Sequence, residues 1–400
     1  MPSTIDPASD LLSAAAVRER CGIVYRAAER GETAHFRLVP TQLDVAARRV
    51  EEVTRRRYPD LAVPFHSRWR HFSAGGVERA TRVAPGADPK ETARARIDLA
   101  VVSVLLDAGA GPQWRFHEAE TGQAVGRSEG LAVASLRAMQ AGLFSVHPAD
   151  PWRADAEALS RLSAERLAAA FQHRRGNELL GVEARAALLR RVGDVCAAVP
   201  ALFGAPARPG NLFDHWSAQG GEVSAPEMLR LLLTVFGPIW PGRISLGGVP
   251  LGDCGRHRAV PGDGLVPFHK LSQWLAYSLV EPLEAAGLRV THINGLTGLA
   301  EYRNGGLFID CGVIEPRDSS LLQRPLDALS EPVIEWRALT IALLDRLASR
   351  LRERLGKNPQ EFPLACVLEG GTWAAGREIA GEKRADGSSP LTVVTDGTLF

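Results

Sequence analysis

The fold is decided by residues 330–355, which read SEPVIEWRALTIALLDRLASRLRERL. Apolar side chains recur there every three or four positions: Trp336, Leu339, Leu343, Leu344, Leu347, Leu351 and Leu355. This spacing is typical of an amphipathic α-helix, because residues three and four apart share one face. Ser330 can cap the helix, Pro332 suits its first turn, and Gly356 ends it. The stretch therefore predicts a long helix that belongs to the protein core.

Shorter stretches repeat the helical pattern along the chain. They are Thr41–Arg57, Pro89–Leu106, Glu129–Ala141, Asp155–Gln172, Gly181–Ala198, Ala225–Phe236 and Phe268–Ala286. Extended runs are few, and those suited to short strands are Gly306–Ile314, Pro363–Leu368 and Leu391–Leu399. The pattern predicts a mainly α protein of about eight helices, with a small β element in its C-terminal half. The apolar last residues, Leu399 and Phe400, are expected to dock against the fold.

One stretch rich in Gly, Ala and Pro, Gly204–Asn211, interrupts the helical pattern near the middle of the chain. Such a composition marks a connection between elements. We predict an N-terminal helical region at 1–205 and a C-terminal region at 206–400 that carries the functional site. A loop within one continuous domain is the alternative.

Composition excludes several classes of protein. The 400 residues are 45% hydrophobic and 23% charged, as in a folded globular chain. Lys and Arg number 47 against 46 Asp and Glu, so the net charge of +1 provides no basic excess for a nucleic acid backbone. No window approaches 18 uninterrupted apolar residues, and residues 1–10 lack the basic start of a secretory signal. Five widely spaced cysteines without a CxxC pair favour a reducing, cytoplasmic compartment.

A lysine stands out in the apolar segment Pro267–Ser278, which reads PFHKLSQWLAYS. Lys270, Trp274 and Tyr277 share one face if this segment is helical. Burying an unpaired ammonium is costly, so Lys270 must meet a carboxylate, a carbonyl or an anionic ligand. Either a structural ion pair or a ligand site satisfies this requirement.

The richest segment is Gly295–Asp318, which reads GLTGLAEYRNGGLFIDCGVIEPRD. Glycines surround Glu301 and would let the backbone approach a ligand closely. The following run would carry Asp310 on a strand in apolar surroundings. Glu301 is therefore the first candidate for a catalytic carboxylate, and a local ion pair between Glu301 and Arg303 is the structural alternative.

Two further segments combine aromatic and charged residues. In VPFHSRWRHF, residues 63–72, Arg68 and Arg70 suit an anion, although a packed aromatic core with solvated arginines explains the segment equally well. In LFDHW, residues 212–216, Asp214 is a candidate to line a pocket. Ser224 and Glu227 have the spacing of a helix capping box, which assigns them to structure.

A metal site has weaker support. The possible ligands are His66, His71, Asp253, Cys254 and His257. His66 and His71 are five apart, whereas a helical pair needs a spacing of four, and the Cys254–His257 pair has no second half along the chain. We therefore predict no metal and no cofactor.

Five strings resemble one family. They are HSRWRHF (66–72), FHKLSQWLAYSL (268–279), GLTGLAEYRNGGLFID (295–310), LEGGTWAAGREIA (368–380) and DGTLF (396–400). The chain resembles the bacterial and fungal uracil catabolism protein family that is named for the fourth gene of the uracil degradation pathway. This resemblance implies a step after the pyrimidine ring is opened, in which ribosylurea or its 5-phosphate is split into urea and a ribose moiety.

A second, weaker resemblance links the Lys/Gln/Trp helix and the segment LTGLAEYR to the queuosine salvage glycosidases. It implies a multi-helix fold like that of the helical DNA glycosylases, and cleavage of a ribosyl C–N bond. An Asp precedes the Tyr-Arg pair in that family, and Glu301 stands at the matching position before Tyr302 and Arg303. The carboxylate is kept but is one methylene longer, and Asn304-Gly305-Gly306 departs from the pattern.

This chemistry needs a few residue types. A fixed carboxylate stabilises the oxocarbenium-like transition state or activates water, and Glu301 would fill that role. The leaving ureide needs a proton, which Asp310 or His269 could provide. The expected substrate-binding residues are Trp274 and Tyr302 against the sugar, Lys270, Arg303 and Arg68 at a 5-phosphate, and Asp214 in the pocket wall.

Two other classes of function stay open at this stage. A metal-dependent amidohydrolase acting on the ureide carbonyl would use the His, Asp and Cys residues named above. A non-catalytic binding protein of the same pathway would need no catalytic carboxylate. In each case the expected partner is a small ribosyl ureide rather than a nucleic acid or a membrane.

Overall fold

The computed structural model describes residues 7–147, 149–240 and 244–394. More than half of these residues lie in α-, 3₁₀- or π-helices, and within the described ranges the strands occur only as two-stranded pairs. The prediction of a mainly α protein with small β elements is confirmed. The strand pairs are spread over both halves of the chain rather than confined to the C-terminal half. The likeness to helical DNA glycosylases stays a prediction.

The described residues form two compact units, each built from separated segments. The first unit contains 7–66, 244–273 and 292–394, and the second contains 67–147, 149–240 and 274–291. The boundary predicted near residue 205 thus lies inside the second unit. Arg208 and Gly210 of the Gly/Ala/Pro-rich stretch bond to the buried Asp98 at 2.7 Å and 2.5 Å, which fixes the stretch as an anchored loop.

The first unit is arranged around its longest helix. Its α-helices are Pro7–Leu11, Ala14–Glu29, Leu43–Arg57, Tyr302–Asp310, Glu331–Leu355, Leu364–Val367 and Trp373–Lys383, with a π-helical turn at Leu368–Thr372. Its strand pairs are Phe36–Leu38 with Ile314–Pro316, Ser245–Leu246 with Val249–Pro250, Cys254–Arg256 with Leu265–Pro267, and Leu326–Asp327 with Val393–Val394. Of these pairs, the fourth is parallel and the others are antiparallel.

The helix predicted from 330–355 is confirmed as Glu331–Leu355. Its seven predicted apolar residues are all buried, and it packs against Ala14–Glu29 and Leu43–Arg57. Gly356 ends it in a left-handed conformation with φ 65°. Ser330 occupies the N-cap position, but its hydroxyl donates to the Asp327 carbonyl at 2.6 Å instead of capping the helix.

The predicted strands are largely wrong. Most of Gly306–Ile314 continues the helix Tyr302–Asp310, and Leu364–Val367 is helical as well. Apolar runs of four to eight residues fit buried helices as well as strands, which explains the error. Within the predicted strand Leu391–Leu399, only Val393–Val394 is a strand among the described residues. The predicted docking of the chain end concerns residues 395–400, which lie outside the described ranges.

The second unit is also helical. Its α-helices are Arg68–Phe72, Pro89–Leu105, Arg127–Gln140, Ala156–Ser160, Ala164–Ala170, Val182–Ala198, Pro200–Phe203, Leu212–Ser217 and Ala225–Phe236. Its strand pairs are Arg115–Glu118 with Gln123–Gly126, antiparallel, and Glu222–Ser224 with Arg289–Thr291, parallel. The helix Lys270–Ala285 begins in the first unit and continues in the second.

Two further predictions concern a helix cap in the second unit and the absence of a membrane-spanning helix. Ser224 precedes the helix Ala225–Phe236 as predicted, but its side chain forms no capping hydrogen bond, so the capping box with Glu227 is wrong. Across the described ranges, none of the helices combines the length and the hydropathy that a bilayer crossing requires.

Candidate functional site

Glu301 is the N-cap of the helix Tyr302–Asp310 in the first unit. Its carboxylate accepts the backbone N–H of Arg303 at 2.8 Å and that of Asn304 at 2.5 Å. The residue is only partly exposed, and burial raises the pKa of Glu301 above 4.5 although those N–H groups and the charges of Lys270 and Arg303 oppose the rise. Perturbed pKa values cluster at functional sites, which makes Glu301 a candidate.

Lys270 is the first residue of the helix Lys270–Ala285. Its backbone N–H donates to the Asp253 carboxylate at 3.0 Å, so Asp253 fixes the start of this helix. The charge of Lys270 is close enough to lower the pKa of Glu301 against the effect of burial. The first unit thus brings Lys270 and Glu301 within electrostatic reach of each other.

A buried amide ties the helix of Lys270 to the segment that precedes Glu301. The backbone N–H of Thr297 donates to the Gln273 side-chain oxygen at 2.8 Å, and the Gln273 amide nitrogen donates to the Thr297 hydroxyl. Asn304 donates to the Leu299 carbonyl at 3.1 Å, while its own side-chain oxygen has no hydrogen-bond partner among the described residues. Gln273 and Asn304 therefore position Glu301, and the sequence analysis missed both.

Tyr302 and Arg303 begin the helix that Glu301 caps. The Arg303 guanidinium carbon lies 4.8 Å from the centroid of the Tyr302 ring, and Arg303 Nη1 donates to the Gly387 carbonyl at 2.8 Å. The local ion pair considered for Glu301 and Arg303 is replaced by a backbone contact, because Glu301 accepts the Arg303 N–H. Their predicted contacts with sugar and phosphate stay predictions.

The glycines around Glu301 serve packing rather than ligand approach. A Cβ at Gly305 would lie 2.6 Å from the Trp336 ring, and one at Gly298 would lie 2.5 Å from Leu344. Trp336 also donates its indole N–H to the Gly305 carbonyl at 3.0 Å. These glycines allow the long helix to pack directly beneath the Glu301 segment, which corrects the interpretation drawn from the sequence.

The two predicted proton donors are placed elsewhere. Asp310 ends the helix that Glu301 caps, so about 13 Å of helix separates them, and Arg384 binds Asp310 with both terminal nitrogens at 2.8 and 2.5 Å. The buried His269 ring lies with Nε2 2.9 Å from the Leu11 carbonyl oxygen, and burial lowers the pKa of His269. Asp310 therefore lies away from Glu301, and His269 contacts the Leu11 carbonyl through Nε2. The roles of both residues as proton donors stay predictions.

Arg68 and Trp274 lie together in the second unit. The Arg68 guanidinium carbon is 5.3 Å from the Trp274 ring centroid, Nε donates to Ser103 at 2.7 Å, and Nη1 donates to Asp107 at 2.8 Å. Arg68 is fully buried, burial lowers its pKa, and Nη2 has no hydrogen-bond partner within the described part of the chain. Asp107 already neutralises the guanidinium, so Arg68 has a structural role in this unit. Its role at a phosphate stays a prediction.

Asp214 belongs to another part of the second unit. Both of its carboxylate oxygens bind Arg94, at 2.9 and 2.6 Å, and with Arg94 and Arg208 it lines a polar cavity of about 610 Å³. The Arg94 hydrogen bonds raise the pKa of that guanidinium. Asp214 therefore lines a cavity, as predicted, in the form of an ion pair with Arg94.

The residues considered for a metal site have other contacts. In the first unit, His66 contacts Glu369, Asp253 contacts Arg337, and His257 contacts Glu335. Burial raises the pKa of the Cys254 thiol to about 12, which leaves it a poor nucleophile at neutral pH. Over 7–147, 149–240 and 244–394, no group of three or more His, Cys, Asp or Glu side chains is arranged to hold a metal ion.

A His–carboxylate pair in the first unit was not singled out from the sequence. His66 Nδ1 lies 2.9 Å from Glu369 Oε2, and both side chains are buried. Glu369 also accepts hydrogen bonds from Arg57 at 3.1 Å and from the Tyr58 hydroxyl at 3.2 Å. The acid-plus-glycine pattern of LEGGTW was the available signal, but His66 is some 300 residues away in the chain.

Comparison with known proteins finds one family and two relatives that match nearly the whole chain. A family model described as protein of unknown function (DUF1688) matches residues 10–400. Protein urg3 of Schizosaccharomyces pombe is 39% identical over 402 residues, which cover 98% of this chain and 98% of that protein. Uracil catabolism protein 4 of Lachancea kluyveri is 36% identical over 441 residues, which cover 99% of this chain and 100% of that protein. At this identity and coverage, the chain belongs to the DUF1688 family.

Proposed function

We propose that this protein takes part in uracil catabolism as an N-glycosidase-type hydrolase, which splits ribosylurea or its 5-phosphate into urea and a ribose moiety. The name of the Lachancea kluyveri relative supports the pathway. The observation that carries the reaction type is Glu301, a partly exposed carboxylate of raised pKa that two backbone N–H groups hold in place. Glu301 also lies in the segment LTGLAEYR, which carries the resemblance to the queuosine salvage glycosidases.

The carboxylate acts on charge that develops in the transition state. Breaking the C1′–N bond places positive charge on C1′ and the ring oxygen, and a fixed carboxylate beside C1′ stabilises it. The helix N–H groups at Arg303 and Asn304 fix the orientation of Glu301 before the substrate arrives. Partial burial strengthens the interaction, because opposite charges attract more strongly where water is excluded.

Lys270 gives the site its cation. Its ammonium is a point charge with three donors, which suits a phosphate or a sugar hydroxyl. Asp253 and Gln273 hold the two ends of the first turn on which Lys270 stands, Asp253 through the Lys270 N–H and Gln273 through Thr297. The charge of Lys270 lowers the pKa of Glu301 against the effect of burial and so favours its ionised form.

Urea release tests the proposed function directly. Purified protein is given ribosylurea, with and without a 5-phosphate, and urea is measured over time in the presence and absence of a chelator. We expect release that the chelator leaves unchanged, because the proposed chemistry uses a carboxylate. Release from neither substrate would refute the proposed reaction, and release that the chelator abolishes would transfer the function to the amidohydrolase class.

The pH dependence of kcat/KM should reflect the ionisation of Glu301. Because burial raises the pKa of Glu301 above 4.5, kcat/KM for urea release should rise with pH along a limb whose midpoint lies above 4.5. A carboxyl of raised pKa binds its proton more readily in the folded state, so protonating Glu301 does not itself unfold the protein. Circular dichroism at each pH controls for unfolding by other groups. A limb at or below 4.5 would argue against Glu301 as the ionised catalytic group.

A further inference from the structure

The first unit contains a cavity that the proposed function does not use. Its volume of about 450 Å³ is within the usual range for sites that bind small molecules. It lies between the helices Ala14–Glu29, Leu43–Arg57 and Glu331–Leu355. Glu301 and Lys270 are not among the residues that line it. The cavity is therefore a second candidate site of this unit.

Much of the cavity lining is apolar. The Tyr25 ring lines the cavity together with five aliphatic side chains, which are Leu38, Pro40, Leu43, Val313 and Leu343. Tyr25, Val313 and Leu343 are buried in the fold, whereas Leu38 and Leu43 are half-buried. Removing apolar surface from water is favourable, so such a lining selects a ligand with an apolar body.

Arg346 adds a guanidinium to this lining. Its Cζ lies 3.5 Å from the centroid of the Tyr25 ring, and its Nη1 donates to the Ala342 carbonyl at 2.8 Å. Glu29 interacts with the Tyr25 hydroxyl, but within the described part of the chain no carboxylate lies at ion-pair distance from Arg346. Since a guanidinium has five N–H donors, Arg346 keeps donors for a ligand.

A second arginine lies one helical turn further along. Arg350 follows Arg346 by four residues, so the two side chains share one face of the helix Glu331–Leu355. Arg350 lies 3.6 Å from Asp44 and 3.6 Å from Glu353, which is too far for a hydrogen bond, and all three side chains are more than half exposed. Arg350 can therefore turn toward an anion without breaking a hydrogen bond.

The polar cavity of the second unit differs in this respect. Arg94 donates to both carboxylate oxygens of Asp214, at 2.9 and 2.6 Å. Arg208 donates to the buried Asp98 at 2.7 Å. Carboxylates of the second unit already occupy these guanidiniums, whereas the two arginines of the first-unit cavity keep donors for an anion.

We propose that the first-unit cavity binds an organic phosphate monoester with an apolar body. The body lies against the aliphatic side chains, and the phosphate accepts hydrogen bonds from Arg346 and Arg350. A phosphate monoester carries a charge of about −1.5 to −2 at neutral pH and three acceptor oxygens, which match two guanidiniums. A carboxylate carries a single charge and is satisfied by one guanidinium fork. This site uses no residue of the proposed reaction.

Binding of 1-naphthyl phosphate, measured by isothermal titration calorimetry, tests the proposal. This probe has an apolar ring system and a phosphate, whereas 1-naphthol has the ring system alone and inorganic phosphate has the anion alone. We expect naphthyl phosphate to bind about tenfold more tightly than either fragment, or better, because it uses both parts of the site. No binding of naphthyl phosphate, or equal affinity for 1-naphthol, would overturn the proposal.

The chain offers a matched control for the variant Arg346→Gln. Removing a charged donor typically weakens binding about 10–100-fold, so Arg346→Gln should lower the affinity for naphthyl phosphate by this factor and leave that for 1-naphthol unchanged. Arg354 lies on the same helix, pairs with Glu51 at 2.6 Å and does not line the cavity. Arg354→Gln should keep the wild-type affinity. Equal affinities in the two variants would contradict the role of Arg346.

Two further variants locate the probe, also if Arg346→Gln does not fold. Ser349 is exposed and lines the cavity, so Ser349→Trp should fill the space and abolish binding while the protein stays folded. Lys270→Gln changes the candidate functional site around Glu301 and should leave the affinity unchanged. Undiminished binding in folded Ser349→Trp, or loss of binding in folded Lys270→Gln, would place the probe elsewhere and refute the proposal.

Discussion

Replacing Glu301 with glutamine is expected to lower kcat/KM for urea release by about 10²–10³-fold, the cost typical of removing one preorganised electrostatic group. The substitution keeps the size of the side chain and removes its negative charge. Glutamine still offers one oxygen to the helix N–H groups that Glu301 now accepts at 2.8 and 2.5 Å. The fold should therefore survive, and the rate is measured by urea release from ribosylurea with and without the 5-phosphate.

The matched control for Glu301→Gln is Asp88→Asn. Asp88 also caps a helix and accepts two backbone N–H groups, those of Lys90 at 2.9 Å and Glu91 at 3.0 Å, but it is exposed on the second unit. Both substitutions replace a capping carboxylate with an amide, whose oxygen can still accept a helix N–H. Only Glu301→Gln should lose activity. Equal activity in the two variants would mean that Glu301 is a cap and nothing more.

Helices were predictable from the sequence where their apolar residues kept one period over many turns. Glu331–Leu355 satisfies this condition over seven turns, and its buried face follows the predicted residues. The shorter apolar runs at 306–310 and 363–368 did not distinguish a helix from a strand, because a few buried residues fit either structure. In both runs the apolar residues are buried in a helix, Leu307 and Phe308 in the first and Leu364 and Val367 in the second.

The candidate site was predictable only as far as residue chemistry shows in one segment. Glu301 and Lys270 stood out because each places a charge among apolar neighbours. The residues that position them were not recognised in that role, since Gln273 and Thr297 act through contacts between distant segments and Asp253 was considered only as a metal ligand. A hydrogen bond between residues that are distant in the chain produces no periodic pattern in the sequence.

Asp310 illustrates the opposite error. An aspartate in an apolar run looks catalytic when the run is taken as a strand beside Glu301. In the structure the same run is a helix, which places Asp310 at the far end from Glu301 and beside Arg384. The wrong secondary structure removed the geometric reason for placing Asp310 beside Glu301, and its role as a proton donor stays a prediction.

Replacing Asp253 with alanine is expected to have the largest effect on stability. Asp253 is buried and accepts both terminal nitrogens of Arg337 at 2.8 and 2.7 Å, together with the backbone N–H of Lys270 at 3.0 Å. Removing one partner of a buried ion pair typically costs about 3–5 kcal/mol, because the other charge stays desolvated. We expect a loss of that size in the free energy of unfolding, measured by guanidinium-induced unfolding followed by circular dichroism.

The controls for Asp253→Ala separate the buried charge from charge in general. Glu32→Gln breaks the exposed pair of Arg30 and Glu32, which are joined at 2.6 Å, and should leave the free energy of unfolding nearly unchanged, because exposed ion pairs contribute little to stability. Adding Arg337→Met to Asp253→Ala should recover part of the loss, since both charges are then absent. A loss below about 1 kcal/mol in Asp253→Ala would contradict the expectation.

The stabilising effect of Asp253 should also disappear in acid, in a defined pH range. Burial alone would raise the pKa of Asp253, but the charge and hydrogen bonds of Arg337 and the Lys270 N–H hold it at about 2, below the ordinary 3.8. A carboxyl whose pKa is lowered by folding stabilises the protein above its unfolded value, and this stabilisation declines as the pH falls through the folded value. The difference in unfolding free energy between wild type and Asp253→Asn should therefore be constant above about pH 5 and shrink between pH 4 and 2. A difference that stays constant down to pH 2 would show that Asp253 acts through its shape rather than its charge.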